Sequence, residues 1–134
     1  LGESLSHMLL FNNILEKGDS NWNLIMDGTM ELNVNKFVNE FETILSYAEQ
    51  NNSDFIQLYM PPKFLVMNNK SKSNHQQIYD LSLQVGTNAY FINKNGINKF
   101  VKQYPLQCSL HDRFGHMIQN WKSLFWKNDC FELK

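Results

Sequence analysis

Apolar positions along this chain follow two rhythms, one helical and one of short runs closed by turn residues. From Glu3 to Lys17, Leu5, Met8, Leu9 and Leu15 keep helical spacing, and Gly18 supplies a C-terminal stop. Trp22 to Met26 is a short apolar run ending in Asp27-Gly28-Thr29, which predicts a buried strand that leaves its sheet through a turn. Asn33 is placed to cap a helix running to Gln50, with Val34, Phe37, Val38, Phe41, Ile44, Leu45 and Ala48 inward. Phe55 to Met60 predicts another strand, closed by Pro61-Pro62, which cannot continue a ladder.

Asn68 to Gln77 is polar and reads as a loop. Ser82–Val85 and Thr87–Ile92 predict one broken strand or two short ones. Asn95 to Gln103 predicts a third helix with Ile97, Phe100 and Val101 on one face, and Pro105 follows its end. His111 to Trp121 predicts a fourth, with Phe114, Met117, Ile118 and Trp121 inward. Ser123–Trp126 and Cys130–Leu133 predict a terminal hairpin around Asn128-Asp129. Helices alternating with apolar strands indicate an α/β fold with a mixed sheet flanked by helices. No internal repeat or linker divides residues 1–134, so a single domain is expected.

Composition narrows the classes without choosing among them. The 134 residues are 43% hydrophobic and 13% aromatic, enough for one real core, since a domain near this size buries about 68% of its unfolded surface. Net charge is −1, and the basic residues are scattered singly apart from Lys70 and Lys72, so nucleic acid is not an expected partner. The apolar stretches fall far short of the roughly 20 residues that span a bilayer. No signal peptide is recognisable, and a cytoplasmic location is expected. Cys108 and Cys130 lack zinc or redox spacing and are read as two free, partly buried thiols. Trp121, Phe125 and Trp126 are read as packing residues. His75 and His116 show no metal-ligand spacing.

Three segments carry a resemblance. Gly86-Thr87-Asn88-Ala89-Tyr90 opens an apolar strand that passes into the Gly96-containing helix. Gly2-Glu3 and Ser6-His7 stand near the start, and Asp27 ends the first strand twenty residues after His7. Together these resemble glycosyltransferase family 25, which includes bacterial lipopolysaccharide sugar transferases and collagen galactosyltransferases. The resemblance covers nearly the whole chain but only the later part of the family's GT-A-type domain. The earlier βαβ segment that holds the nucleotide base would precede Leu1.

The resemblance implies transfer of a sugar from a nucleotide donor, a UDP-hexose, to a hydroxyl on a glycan or protein. Asp27 would assist a divalent cation (Mn²⁺) or the ribose, because a metal offsets the charge of a leaving diphosphate. The family's strand ends in Glu-Asp-Asp; here Asp27 survives, while Gly28 and Thr29 stand where further acids are expected. His7, Gly86, Thr87 and Tyr90 would contact the donor, Tyr90 by packing on a sugar ring. Asp112 matches the aspartate of the family's Pro-x-Asp element, although Pro105 is seven residues ahead instead of two. It would act as general base toward the acceptor hydroxyl.

Each residue also has a purely structural reading. Asp27 would cap its own turn, His7 would be a core-edge histidine, and Asp112 would stabilise a helix N-terminus through the dipole. The alternative to a working transferase is a catalytically degenerate module of the same fold with a structural or protein-interaction role.

Overall fold

Helix α1 (Gly2–Lys17) ends as predicted, with the Gly18 amide donating to the Ile14 carbonyl at 2.8 Å. The molecule is seen in a computed structural model that describes residues 2–61, 77–81, 88–103 and 122–134. The sequence expectations for 68–76, for Ser82–Val85 and for His111–Trp121 lie outside the described residues. So do those for Gly86, Thr87, Cys108 and Asp112.

The stripe that α1 turns inward is Met8, Phe11, Ile14 and Leu15, with Phe11 fully buried. Leu9, one of the apolar residues at helical spacing, is 62% exposed. Phe11, three residues beyond Met8, continues the inward stripe in its place.

Strand β1 (Trp22–Met26) forms where predicted, and β2 (Met30–Leu32) follows the Asp27–Thr29 turn. The single helix expected from Asn33 to Gln50 is two: α2 (Val34–Val38) and α3 (Phe41–Gln50). Asn33 caps α2, its Oδ1 accepting from the Lys36 amide at 3.2 Å. The break lies at Asn39, whose Nδ2 donates to the Asn35 carbonyl at 3.0 Å, competing for the carbonyl that helix propagation would use. Because the axis changes there, Val34 and Val38 are 58% and 52% exposed, while Phe37, Ile44 and Ala48 are buried.

The remaining elements are β3 (Phe55–Gln57), β4 (Ile78–Asp80), β5 (Ala89–Asn93), α4 (Lys94–Gln103), β6 (Ser123–Trp126) and β7 (Phe131–Leu133). Among the described residues the main sheet runs β1-β5-β3-β6-β4. Its pairs are antiparallel except β3–β6, which is parallel. The sheet is therefore mixed, as expected. β1 is half-buried because it pairs within this order on one side only, whereas β5 is buried along its length.

The expected terminal hairpin does not form. β6 joins β3 and β4 in the main sheet, and β7 pairs antiparallel with β2 in a separate two-stranded sheet. Asn128 explains the departure. Its Nδ2 donates to the carbonyls of Trp126 (2.8 Å) and Leu58 (3.0 Å), and its Oδ1 accepts from the Cys130 amide at 2.9 Å. The chain is bent out of the sheet where a tight turn would have returned it.

Strand alternation divides the core into two layers. Ile25, Phe55, Tyr90, Ile92 and Phe125 pack with Phe11 of α1 and with Ile97 and Phe100 of α4. Ile56, Ala89, Phe91, Leu124 and Trp126 pack with Phe37, Ile44 and Ala48, and with Met30 and Phe131 of the small sheet. Phe37 anchors this second layer, its ring 5.2 to 6.3 Å from those of Phe41, Phe91, Trp126 and Phe131. Phe125 and Trp126 are core residues, as read from the sequence.

Candidate functional site

The carboxyl ends of β1, β3 and β6 lie at one rim of the sheet, because β1 and β3 both run antiparallel to β5 and β6 runs parallel to β3. Open α/β sheets bind ligands outside the carboxyl ends of their strands, and Asp27 occupies that position on β1. The register sets Met26 against Ala89, so Asp27 faces Asn88, whose carbonyl accepts from the Asp27 amide at 2.9 Å.

The exposed Asp27 carboxylate is held mainly by its own turn. Oδ1 accepts from the Thr29 amide at 2.9 Å and from the Thr29 hydroxyl in a short bond. Oδ2 receives a 3.4 Å contact from Asn88 Nδ2, which lies equally far from Thr29 Oγ1. The turn is pinned further by Met30 N to Asp27 O at 3.2 Å and by Lys134 N to Thr29 O at 2.9 Å. Thr29, at a position where the resemblance expects an acid, instead stabilises the acid that is present.

Two residues further into the sheet from Asp27, Ile25 pairs with Tyr90. Tyr90 is 1% exposed, its ring stacked between Phe55 (centroids 5.2 Å apart) and His7 (5.9 Å). Its hydroxyl and His7 Nδ1 are 2.6 Å apart, the imidazole tautomer deciding which atom donates. The described geometry thus gives the Tyr90 ring to the core and leaves the hydroxyl as the end that reaches α1. Stacked aromatic pairs contribute about 0.5–1.5 kcal/mol each beyond burial, so this contact fixes the opening helix to the central strands. His7 takes the place its structural reading gives it, a core-edge histidine with a hydrogen bond, and that bond reaches the strand that continues the 86–90 motif.

The structure therefore joins His7 to Tyr90 and Asp27 to Asn88, two residues apart on one stretch of chain. Two further residues of this neighbourhood were not singled out by the sequence reading as site residues. Asn88 is the variable position of the 86–90 motif, where nothing local marks it. Gln57 lies opposite Tyr90 in register and is 2% exposed, its Nε2 donating to the Tyr59 carbonyl at 2.9 Å. A glutamine in the middle of an apolar run was the available signal, since buried polar groups are placed where they can be bonded.

A second aspartate marks the opposite end of the sheet. Asp54 Oδ1 accepts from Asn93 Nδ2 at 2.8 Å, and Oδ2 accepts from Asn95 Nδ2 at 3.0 Å and Lys99 Nζ at 2.7 Å. Asn93 in turn caps α4, its Oδ1 accepting from the Gly96 amide at 2.8 Å. Cys130 is a free, buried thiol; burial pushes its pKa up, with the charges of Glu40 and Asp129 adding to the effect. It stays protonated and is a poor nucleophile.

Among the described residues no group of three or more His, Cys, Asp or Glu is arranged to hold a metal ion, and no helix is long and apolar enough to cross a membrane. Comparison with protein-family models, curated proteins and solved structures finds no match for this chain.

Proposed function

We propose that this chain is a glycosyltransferase-like module that takes a nucleotide-sugar donor, a UDP-hexose, at the carboxyl end of β1. The acceptor is a hydroxyl on a glycan or a protein. One observation carries the reading. Segments far apart in sequence meet on one short stretch of chain: Asp27 bonds Asn88 at the carboxyl rim, and His7 of α1 bonds Tyr90 two residues further on. They are the segments on which the resemblance to glycosyltransferase family 25 rests. A mixed sheet layered between helices is also compatible with the later part of a GT-A-type domain.

Asp27 presents its carboxylate to the donor, held in one orientation by Thr29 and Asn88. It can accept from ribose hydroxyls or contribute to a cation site. As a Mn²⁺ ligand it would stand as one carboxylate, the remaining ligands coming from the diphosphate and water, as is usual for small hard cations. A cation bound there would offset charge on the leaving diphosphate. His7, through Tyr90, positions α1 against the motif strand. Asp112 remains our proposed base on the acceptor side.

A second reading is favoured by the bonds of Asp27 itself. Its Oδ1 is satisfied inside its own turn, the behaviour of a capping residue, and this suits a module that keeps the fold for a structural or interaction role. Calorimetric titration with UDP, with and without Mn²⁺, separates the two. Heat that is lost in Asp27→Ala supports the donor site. Silence at millimolar UDP, in a chain shown to be folded, sinks it in favour of the second reading.

A further inference from the structure

We propose that Asn95–Gly96 is a site of self-modification, held shut by the Asp54 cluster and committed irreversibly once that end of the sheet opens. It is the chain's sole Asn-Gly dipeptide. In that pairing the backbone nitrogen reaches the asparagine side chain most easily, because glycine has no Cβ to obstruct it. The Gly96 nitrogen attacks Asn95 Cγ, a C–N bond forms and the Cγ–Nδ2 bond breaks. Nδ2 leaves as ammonia, carrying the proton that the Gly96 nitrogen gives up. Water then opens the resulting succinimide at either carbonyl, leaving aspartate or isoaspartate. The sum is water in and ammonia out, with no change of oxidation state.

In the folded chain three restraints oppose the attack. Asn95 stands in the first turn of α4, where a helical ψ of about −42° sets the next nitrogen out of line with the side-chain carbon. The Gly96 N–H is committed to Asn93 Oδ1 at 2.8 Å in a buried contact. Asn95 Nδ2, the group that must leave, donates to Asp54 Oδ2 at 3.0 Å. Both side-chain restraints lead back to Asp54. Its Oδ1 accepts from Asn93 Nδ2 at 2.8 Å and so fixes the side chain that holds Gly96, while Lys99 Nζ at 2.7 Å steadies Oδ2.

The contacts that silence the dipeptide also select it. A Cβ on Gly96 would come 3.0 Å from the Asp54 carbonyl oxygen and 3.1 Å from Asp54 Cβ, so close approach of the two segments favours glycine. Position 95 is exposed yet supplies an amide donor to Asp54. Opening changes the balance. Once an acid stands at 95, a donor to Asp54 has become a carboxylate, and two negative groups face Lys99 in place of one. Their repulsion disfavours closure, and isoaspartate also adds a methylene to the backbone of the first turn. The modified end recloses less well, so an opening is recorded covalently.

Peptide mapping by mass spectrometry, after ageing the intact chain in mildly alkaline buffer, tests this through the amide-to-acid mass gain at Asn95. Conversion through an open state follows the population of that state. The folded chain should convert at least about tenfold more slowly than the same chain in guanidinium, in a ratio matching the open fraction from hydrogen exchange at the Gly96 amide. Asp54→Ala, checked for fold by circular dichroism, should speed conversion by at least about tenfold. Asn95→Asp, which mimics the product, should lower the denaturant midpoint and quicken exchange at Gly96.

Absence of conversion in guanidinium would remove the site itself. Conversion as fast in the folded chain as in guanidinium would overturn the lock, and so would a folded Asp54→Ala chain that ages no faster than the unsubstituted one. Should Asp54→Ala fail to fold, ageing and Gly96 exchange in the unsubstituted chain decide the matter, and a conversion rate unrelated to the open fraction overturns the proposal. An Asn95→Asp chain as stable as the original would overturn the irreversible step, since the product would then reclose.

Discussion

The two ends of the main sheet each carry an aspartate, an asparagine partner and a glycine, and they are built for different purposes. At the amino end of β3, Asp54 is 12% exposed and meets Asn93, Asn95 and Lys99, all from or beside α4. At the carboxyl end of β1, Asp27 is exposed and bonded chiefly to Thr29, two residues away. The first aspartate ties distant parts of the chain together and has a cation within 2.7 Å. The second mainly ties its own turn, with one longer contact from Asn88, and stays exposed. The bonds of Asp54 cross the fold and serve stability, whereas those of Asp27 chiefly hold its own turn and leave it exposed.

Breaking the Asp54 end should give the largest effect. Asp54→Ala leaves the buried Asn93 amide without this acceptor and removes the ion pair with Lys99, and we expect a loss of about 2–3 kcal/mol in denaturant unfolding. Asp27→Ala, measured alongside, should cost about 0.5–1 kcal/mol. Equal losses at the two positions would erase the distinction between the two ends.

The glycines sharpen it. A Cβ on Gly96 would lie 3.0 Å from the Asp54 carbonyl oxygen and 3.0 Å from Ile92 Cγ1. The carbonyl belongs to the backbone and cannot swing aside. Gly96→Ala should therefore destabilise by about 1 kcal/mol, the overpacking cost outweighing better helix propensity. A Cβ on Gly28 meets nothing within 4 Å. Gly28→Asp should be tolerated within about 0.5 kcal/mol and place a second carboxylate beside Asp27. It should raise the Mn²⁺ dependence of UDP binding, measured by calorimetry. If Gly28→Asp changes neither metal dependence nor UDP affinity, the rim is not a cation-assisted donor site.

These contrasts mark what could be read from the sequence. The helices α1 and α4, the strands β1, β5 and β6, and the mixed α/β class followed from periodicity, because they rest on local patterns of apolar residues. The division of α2 from α3 did not, since an Asn39 side chain bonding back to Asn35 is decided by the third dimension. The pairing of β7 with β2 was hidden for the same reason: Asn128 forms its bond to Leu58 across 70 positions. At the site, Asp27, His7 and Tyr90 were singled out through the resemblance, and the structure shows His7 bonded to Tyr90 and Asp27 beside Asn88. The burial of the Tyr90 ring was not foreseen, because an aromatic in a strand motif suits a core and a sugar equally. Asn88 and Gln57 needed the register of β5 against β1 and β3 to be seen at all.

The smallest effect concerns a third carboxylate, which extends the comparison to the fully exposed case. Asp129 Oδ2 lies 2.8 Å from Lys36 Nζ, with side chains 77% and 52% exposed. The hydrogen bond from Lys36, then its charge, holds the Asp129 carboxyl below the usual carboxylate range, and the same contact raises the Lys36 ammonium. A carboxyl depressed in the folded state stabilises the fold above its unfolded pKa, and that contribution fades as pH falls through the folded value. The raised ammonium acts the other way: its contribution is present below its unfolded value and fades as pH rises through the folded one. Both windows lie outside neutrality, one acidic and one alkaline, so stability near pH 7 should not respond to either. Carboxyl-carbon NMR should find the Asp129 midpoint depressed at low salt. It should return toward the usual carboxylate value in Lys36→Met and in molar salt, where screening acts within about 3 Å. The Asp54–Lys99 pair, shielded by the fold, should persist in the same salt. A midpoint indifferent to Lys36→Met would mean that the pair does not form in solution, and that exposed charges here do no more than decorate the surface.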